Sequence, residues 1–444
     1  MNTPICDFVR QYNEKSPIRM HMPGHKGKVF LGFEHLDITE FEGADDLYHP
    51  AGIIAESEKN ASEIFGFPTY YSTEGASHCI RAIVYLITLY AKNQGRKPLI
   101  AAGRNAHKTF ISALALLDAD VEWLTPKENN SYLSCSITPE ELEEFLQNST
   151  EKPVAVYITS PDYLGGTSDI KGLADVCHKH DVLLAVDNAH GAYLKFLESS
   201  CHPIDLGADI CCDSAHKTFP VVTGGAYLHI SDKLSAFSSK DVKNALAMFG
   251  STSPSYLILQ SLDYCNTHLV SYKENLLSFL PLIAQMKKRL EDKGFVFFGD
   301  EPMKLTFSAK DYGYTGTELA DILAENNIFC EFADPDYLVL MPTPETEEEL
   351  EKVEMVLSSI QKKEPIKTTT PKFIKPHKVL TIREAALSPS EISPVSECEG
   401  RILSAVTVGC PPAVPILVCG ERITTETLKC FEYYGITHCS VVIE

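Results

Sequence analysis

Val182-Leu-Leu-Ala-Val-Asp187-Asn-Ala-His190 and Asp209-Ile-Cys-Cys-Asp-Ser214-Ala-His216-Lys217-Thr218 are two short apolar runs. The first ends in an acid and the second in Ser-x-His-Lys. Runs of this kind are typical of strands that are buried on both faces of a sheet. An acid at one strand end and a lysine just past the next suit pyridoxal phosphate (PLP). The lysine can hold the aldehyde as a Schiff base, and the acid can keep the ring nitrogen protonated. We therefore expect amino-acid chemistry.

Helical and strand-like segments alternate between about residue 55 and residue 260 of this 444-residue chain. The predicted helices are 55–65, 77–92 and 169–180, and the predicted buried strands are 98–103, 154–159, 182–187, 208–212 and 225–230. Apolar strands separated by helices predict an α/β fold with a mainly parallel sheet. Ligands of such sheets lie outside the carboxyl ends of the strands, where Asp187 and Lys217 fall.

The chain is expected to contain three segments. Residues 1–270 form an N-terminal segment and a large cofactor-binding domain, residues 271–362 a small α/β domain, and residues 363–444 a C-terminal domain. The predicted elements after residue 270 are helices at 272–291 and 347–362, strands at 294–298, 337–341 and 440–443, a linker at 362–378 and a Pro-rich turn at 410–415.

Charge and composition limit the classes of function. A formal net charge of −21 argues against binding to nucleic acid or to an anionic membrane surface, since both need basic patches. The chain shows neither an apolar run of membrane-spanning length nor a signal-peptide pattern at its start. The 14 cysteines are dispersed, without a Cys-x-x-Cys pair, so we expect reduced thiols in a cytoplasmic protein and no structural metal.

Lys217 is the best candidate for a Schiff-base lysine among several His-Lys pairs. The others lie at 25–26, 107–108, 178–179 and 377–378. Only the pair at Lys217 follows a short apolar strand that itself follows the Asp187 strand. A Schiff-base lysine must be held at a strand end and partly desolvated. Taken singly, a lysine is more often a solvated surface charge, and a strand-end Asp more often caps a turn.

A turn of small residues before the predicted helix at 77–92 supplies a candidate phosphate site. In Gly75-Ala76-Ser77 the glycine permits a tight turn, and Ser77 is expected to cap the helix and donate to phosphate. A plain serine N-cap is the simpler alternative. Ser214 adds a second hydroxyl next to the lysine.

Two histidines near predicted strand ends are further candidates. His107 could stack on the cofactor ring or be an ordinary loop histidine, and the two interpretations are about equal. His190 could orient Asp187 or pack near the ring, and otherwise it is a half-buried histidine.

Together these residues resemble the Orn/Lys/Arg decarboxylases, bacterial PLP enzymes of the aspartate aminotransferase fold (fold type I). The resemblance covers most of the chain, at His21–Gly27, Asp37–Glu40, Asp45–Gly52, Ser72–Ser77, Asn105–Thr109, Asp187–His190, Ser214–Pro220, Ser251–Tyr256, Ser261–Asp263, Gly400-Arg401 and Pro411–Glu421. The length resembles the short, Gram-positive type of member.

The resemblance implies a role for each candidate. Lys217 is the Schiff-base lysine, Asp187 the pyridinium partner, His107 the ring-stacking residue, His216 a neighbour of the lysine, Ser77 and Ser214 phosphate ligands, and Thr252 or Ser253 a phosphate ligand given to the neighbouring subunit. A homodimer or higher homo-oligomer with shared active sites follows from that last role.

The resemblance also implies α-decarboxylation of arginine, lysine or ornithine to the amine and CO2, a step toward polyamines. His216 or Lys217 then returns a proton to Cα. A cationic substrate side chain needs an acidic partner. Glu421, Asp45 and Asp46 are the candidates, although each could equally be a surface acid.

One departure from the family pattern lies in the phosphate turn, where Ala76 removes a hydroxyl, and the others lie in the C-terminal domain. Ala405 replaces an expected acid, Cys410 lies where Pro-Tyr is usual, and Cys419 replaces a proline. The C-terminal changes spare the cofactor residues and leave the choice of substrate open. An aminotransferase or β-eliminating lyase of the same fold is one alternative, though the small domain lacks a clear arginine for the α-carboxylate. A PLP-binding homologue without activity is another.

Overall fold

The computed structural model describes residues 1–28, 30–126, 132–368, 371–410 and 414–443 and divides into two compact units. The first unit joins Met1–Arg96 to Cys177–Asn275, and the second joins Lys97–Val176 to Leu276–Glu444. The helices are α1 Pro4–Glu14, α2 Ile53–Phe65, α3 Gly75–Asn93, α4 Lys108–Leu117, α5 Pro139–Asn148, α6 Ile170–Lys179, α7 Ala215–Thr218, α8 Ser239–Ala247, α9 Tyr256–Asp292, α10 Gly316–Glu325, α11 Leu350–Ser359, α12 Ile382–Leu387 and α13 Thr425–Tyr433. The strands are β1 Thr69–Ser72, β2 Leu99–Gly103, β3 Asp120–Leu124, β4 Ala155–Thr159, β5 Leu183–Asp187, β6 Ile210–Asp213, β7 Ala226–Ile230, β8 Phe297–Phe298, β9 Leu305–Ser308, β10 Phe332–Ala333, β11 Tyr337–Leu340, β12 Ser390–Pro394, β13 Thr407–Cys410, β14 Val414–Val418 and β15 His438–Val442.

The strands of the first unit lie in the order β1-β7-β6-β5. β5 and β6 are parallel, with Asp187 beside Cys212, whereas β7 runs antiparallel to both β6 and β1. Every side chain of β5, β6 and β7 is buried, which confirms the three predicted two-faced strands to within two residues at each end. β1 was not predicted, because its four residues are too few to form a recognisable apolar run before the Ser-rich turn.

Helix α3 begins at Gly75, and the expectation that Ser77 caps it is wrong. The N-cap residue is Glu74, and Ser77 lies within the first helical turn. Gly75 has a φ of +71°, and its N–H donates to the carbonyl of Gly224 at 2.7 Å. This left-handed turn, which glycine adopts without steric cost, lets the helix start two residues earlier than the capping pattern indicated.

Helix α9 spans 37 residues and begins at Tyr256, well before the predicted start at residue 272. Its first half carries buried polar residues that break the apolar periodicity. Asp263 accepts hydrogen bonds from the backbone N–H groups of Ile5 and Cys6, both at 3.0 Å, and from the Ser57 hydroxyl. Within the described ranges, no helix combines the length and apolarity needed to cross a membrane.

The second unit contains three parallel strands in the order β4-β2-β3 and an antiparallel sheet in the order β10-β11-β9-β8. β2, β4 and β11 confirm predicted strands. β3 was missed, since Asp120 and Glu122 interrupt its apolar pattern. The predicted strand at 294–298 retains only β8, and the predicted helix at 347–362 is the shorter α11.

The C-terminal part of the second unit contains two small antiparallel sheets. β12 pairs with β15, and β13 pairs with β14. The predicted final strand corresponds to β15 and starts two residues earlier, at His438. Residues 411–413 of the predicted Pro-rich turn lie outside the described residues.

Candidate active site

Lys217 and His190 meet at the carboxyl ends of β5 and β6. The Lys217 Nζ lies 2.8 Å from His190 Nε2. Lys217 sits in the short helix α7 immediately after β6, and His190 lies three residues past the end of β5. Because β5 and β6 are parallel, their carboxyl ends point to the same edge, which brings the two side chains together. His190 is buried and Lys217 half-buried.

Asp187, the last residue of β5, holds a buried carboxylate at the same edge. Its Oδ1 accepts the N–H of Ala189 at 3.2 Å and the thiol of Cys212 at 3.8 Å. Burial, and after it the charge of Asp187, raises the pKa of Cys212 well above its ordinary value. Cys212 therefore stays a thiol and donates to the carboxylate. A buried carboxylate with these neutral donors fits a cationic ring nitrogen as its partner.

The predicted phosphate turn lies next to the helix that carries Lys217. The ring of His216 is fixed by Nδ1, which donates to the carbonyl of Gly225 at 2.9 Å. A Cβ placed on Gly75 would lie 3.9 Å from His216 Cε1. Ala76 and Ser77 follow in the first turn of α3, whose N–H groups have no intrahelical acceptors. A turn of this kind fits a phosphate group.

The other two predicted phosphate ligands, Ser214 and Thr252, differ in their exposure. Ser214 is buried directly before α7, and its carbonyl accepts the Lys217 N–H at 3.0 Å, while its hydroxyl does not cap the helix. Thr252 is exposed in a loop that Glu74 holds, since the Glu74 Oε1 accepts the N–H of Ser251 at 2.6 Å. This loop therefore approaches the start of α3 within the same chain.

The predicted substrate acids Asp45 and Asp46 both bond to nearby backbone. The Asp45 carboxylate accepts the N–H groups of Ala51, Gly52 and Ile54, each at 2.9 Å. Burial alone would raise the pKa of Asp45, but these hydrogen bonds outweigh it and lower the pKa. Asp46 accepts the N–H of Tyr48 at 2.8 Å and pairs with His49 at 3.1 Å, and its carboxylate stays partly exposed. Their role toward substrate stays a prediction.

In the second unit, Glu421 forms a buried ion pair with Arg104, a residue that the sequence reasoning missed. Arg104 Nη1 and Nη2 donate to the two carboxylate oxygens at 3.0 and 2.7 Å. The guanidinium also lies 4.8 Å from the ring centre of Trp123. Its position directly after the predicted strand β2, at the carboxyl end where functional residues of such sheets lie, could have identified Arg104 as a candidate. The substrate role of Glu421 stays a prediction, and the structure gives this carboxylate a cationic partner within the chain.

His107 is the N-cap residue of α4. Its Nδ1 accepts the N–H of Thr109 at 3.2 Å, which places the ring proton of the neutral form on Nε2. This contact fixes the ring by its Nδ1 edge. The predicted stacking role is untested by the contact and stays a prediction.

Comparison with known proteins identifies the class of protein that carries this site. Residues 3–299 match the family model described as Orn/Lys/Arg decarboxylase, major domain. The chain belongs to the Orn/Lys/Arg decarboxylase family, a family of enzymes, and the resemblance inferred from its motifs is confirmed.

Individual relatives agree with the family. An arginine decarboxylase of Bacillus subtilis (strain 168) is 30% identical over 96% of this chain and 92% of that protein. An arginine decarboxylase of Halalkalibacterium halodurans is 28% identical over the same shares. Among solved structures, a Francisella novicida lysine decarboxylase superimposes with a TM-score of 0.79 over 99% of this chain and 81% of that chain, at 16% identity. Lysine decarboxylase A from Pseudomonas aeruginosa gives 0.81 over 99% and 80%, also at 16% identity. These two structures confirm the predicted fold class.

Proposed function

We propose that this protein decarboxylates a basic amino acid, with PLP bound at the edge formed by β5, β6 and α3. The observation that carries the proposal is the 2.8 Å contact between Lys217 and His190, beside the buried carboxylate of Asp187. Family membership supports the reaction class. The arrangement supplies a nucleophilic amine, an acid for the ring nitrogen and a helix start for the phosphate.

Each residue of the site has a distinct task in this proposal. When bound, PLP supplies an electron sink for the electron pair that remains as the α-carboxylate leaves as CO2. Lys217 would hold the cofactor through its aldehyde group. Asp187 holds the proton on the ring nitrogen. The first turn of α3, with Ser77, and the buried Ser214 bind the phosphate.

The proton that Cα needs after loss of CO2 comes from the pair of Lys217 and His190. At 2.8 Å, Nζ and Nε2 share a hydrogen bond along which a proton can move. His216 is the less suitable donor, because its Nδ1 proton is committed to the Gly225 carbonyl. We therefore assign the return of the proton to Nζ of Lys217.

Arginine is the substrate that we propose first, because relatives aligned over nearly the whole chain are named arginine decarboxylases. Its guanidinium requires a carboxylate. Of the three predicted acids, Asp46 keeps a partly exposed carboxylate beside its bonds to Tyr48 and His49. Asp45 instead accepts several backbone N–H groups, and Glu421 is buried against Arg104. We propose Asp46 as the first acid to examine and polyamine biosynthesis as the use of the product.

A homodimer with shared sites is also proposed. Large apolar side chains near the N-terminus are exposed in the single chain, among them Ile18 (90%), Met20 (87%) and Phe30 (73%). Exposed apolar surface of this kind marks an interaction site. The exposed Thr252 and Ser253 are available to a second copy. A cytoplasmic location is proposed from the many buried cysteine side chains, which suit a reducing compartment.

The test is an assay of the purified protein with PLP and each of arginine, lysine and ornithine, in which CO2 and the amine are both measured. Wild-type protein is expected to show a visible absorption band and to release equal amounts of the two products. Lys217→Ala should abolish both, while Lys179→Ala, in the exposed His178-Lys179 pair, should change neither. A colourless wild type contradicts PLP binding, and a keto acid without CO2 supports the aminotransferase alternative.

A further inference from the structure

A buried polar cluster lies directly behind the proposed cofactor site. It consists of Asn188, His202, Asp213 and His229, whose side chains are fully buried. Asp213 accepts Asn188 Nδ2 on Oδ1 at 2.7 Å, and it accepts His202 Nε2 and His229 Nε2 on Oδ2 at 3.2 and 3.1 Å. We refer to these four residues as the Asp213 cluster.

The cluster and the proposed cofactor residues occupy opposite faces of one sheet. Side chains alternate along a strand, and residues paired across strands share a face. Asp187 pairs with Cys212, while Cys211 pairs with His229. Asp213 therefore lies on the face of Cys211 and His229. Because of the alternation, β5 ends with Asp187 in the site, and the next residue, Asn188, belongs to the cluster. In the same way β6 ends with Asp213 in the cluster, and the next residue, Ser214, belongs to the site.

The hydrogen-bond pattern is that of a charged Asp213, whose carboxylate accepts bonds from Asn188 and from both histidines. His202 Nδ1 accepts the N–H of Ile204 at 3.3 Å, so its proton is on Nε2 and points at Asp213. Burial lowers the pKa of His229, which favours the neutral ring. Burial by itself raises the pKa of Asp213, but the two histidines outweigh it and hold the pKa well below its ordinary value.

A metal ion does not explain these residues. His202, Cys211 and Asp213 are close enough to share one. A metal on His202 Nε2 would, however, move the ring proton to Nδ1, where it would oppose the N–H of Ile204. The ring nitrogens of both histidines and both carboxylate oxygens of Asp213 have hydrogen-bond partners without a metal, while Asn188 Oδ1 has none among the described residues.

We propose that Asp213 is a positioning residue, which fixes the ends of β5 and β6 and thereby holds Asp187 and Lys217 in register. The proposal rests on the proposed function of the site. Asn188 follows Asp187, and Asp213 precedes Ser214, the residue that opens the turn to Lys217. The bond between Asn188 and Asp213 thus joins the two segments directly. A second bond, from the Asn188 N–H to the Cys212 carbonyl at 3.0 Å, runs between the same segments.

The chain provides a matched control at the other end of the same strands. Asp209 precedes β6, and its Oδ2 accepts the N–H of Leu184 at 2.8 Å and His178 Nε2 at 3.1 Å. It is therefore also an aspartate that joins β5 to β6 and contacts a histidine. It differs from Asp213 by lying at the amino ends of the strands, away from Asp187 and Lys217.

The test compares Asp213→Asn and Asp209→Asn with wild type by hydrogen exchange without PLP and by titration with PLP. Asp213→Asn should raise amide exchange in residues 187–190 and 214–218 about tenfold, weaken PLP binding about tenfold and shift the pH midpoint of the visible band. Asp209→Asn should leave these quantities unchanged. Asn188→Ala, which keeps both histidine contacts to Asp213, should reproduce the effect if Asp213→Asn does not fold.

The outcomes separate this proposal from the proposed function. Equal exchange in the two segments for Asp213→Asn, Asn188→Ala and wild type would overturn the positioning role, whether or not PLP binds. A wild type that shows no visible band contradicts the proposed function, while the exchange data still decide the positioning role.

Discussion

Lys217 Nζ and His190 Nε2 lie 2.8 Å apart although 27 residues separate them in the chain. The contact joins the segment that follows β6 to the segment that follows β5. An amine held against an imidazole can exchange a proton with it, which is the property that a Schiff-base lysine needs in each turnover.

His190→Phe is expected to retain PLP and to lower the rate of amine formation about 100-fold, because the phenyl ring cannot exchange a proton with Nζ for the protonation of Cα. His190→Gln, which keeps a hydrogen-bonding group, should lose less. Single-turnover measurement of CO2 and of the amine, with the absorption spectrum recorded in parallel, tests this, because only amine formation follows the proton transfer. Equal rates for His190→Phe and wild type would exclude a role in proton transfer.

Gly75→Ala is expected to lower the free energy of unfolding by about 1 kcal/mol, because a Cβ strains the left-handed backbone at φ +71°. It should also weaken PLP binding, because the strained residue begins α3, and the first turn of α3 is the proposed phosphate site. Gly95→Ala is the matched control, at φ +66° just past the other end of α3, with open space around the added Cβ. It should cost similar stability and leave PLP binding unchanged. A PLP affinity lowered equally by both variants would show that the effect is not local.

Glu421→Gln is expected to cost about 3–5 kcal/mol, because it leaves the buried Arg104 guanidinium without a charged partner. Trp123, the single tryptophan of the chain, lies against Arg104 and should report the change by fluorescence during thermal unfolding. Glu391→Gln removes the partner of Arg401 in a more exposed pair and should have little effect. Unchanged stability with a raised KM would instead support the predicted contact of Glu421 with substrate.

Asp334 should make the protein less stable as the pH rises through about 6. Burial raises the pKa of Asp334 to about 6 from an ordinary 3.8. The folded state therefore binds this proton more tightly than the unfolded state. The associated stability is fully present below pH 3.8 and is lost as the pH rises through 6, by about 3 kcal/mol in all.

Asp334→Asn removes this dependence, so its unfolding midpoint relative to wild type should rise between pH 5 and pH 8. The exposed Asp311→Asn serves as the control. A constant difference between Asp334→Asn and wild type over this range would show that Asp334 does not carry the titration.

The local pattern of apolar and polar residues was enough to predict the strands whose ends carry the candidate catalytic residues. Continuous apolar runs identified β5, β6 and β7, and the residue types at their ends indicated Asp187 and Lys217. The same reasoning failed where polar residues are buried. Asp263 interrupts the apolar periodicity of α9, so the helix was predicted to begin too late. Gly75 starts α3 by its backbone geometry, which a capping pattern centred on Ser77 did not indicate.

The sequence by itself determined the family, the two-faced strands and the position of Asp187 and Lys217 at strand ends, because each depends on neighbours along the chain. Only the tertiary structure decided that His190 meets Lys217, that Asp213 joins Asn188 across 25 residues and that Glu421 pairs with Arg104 across 317. A buried charge or amide needs a hydrogen-bond partner, and the tertiary fold determines which residue provides it. The sequence separation of two residues does not indicate whether they will form such a pair.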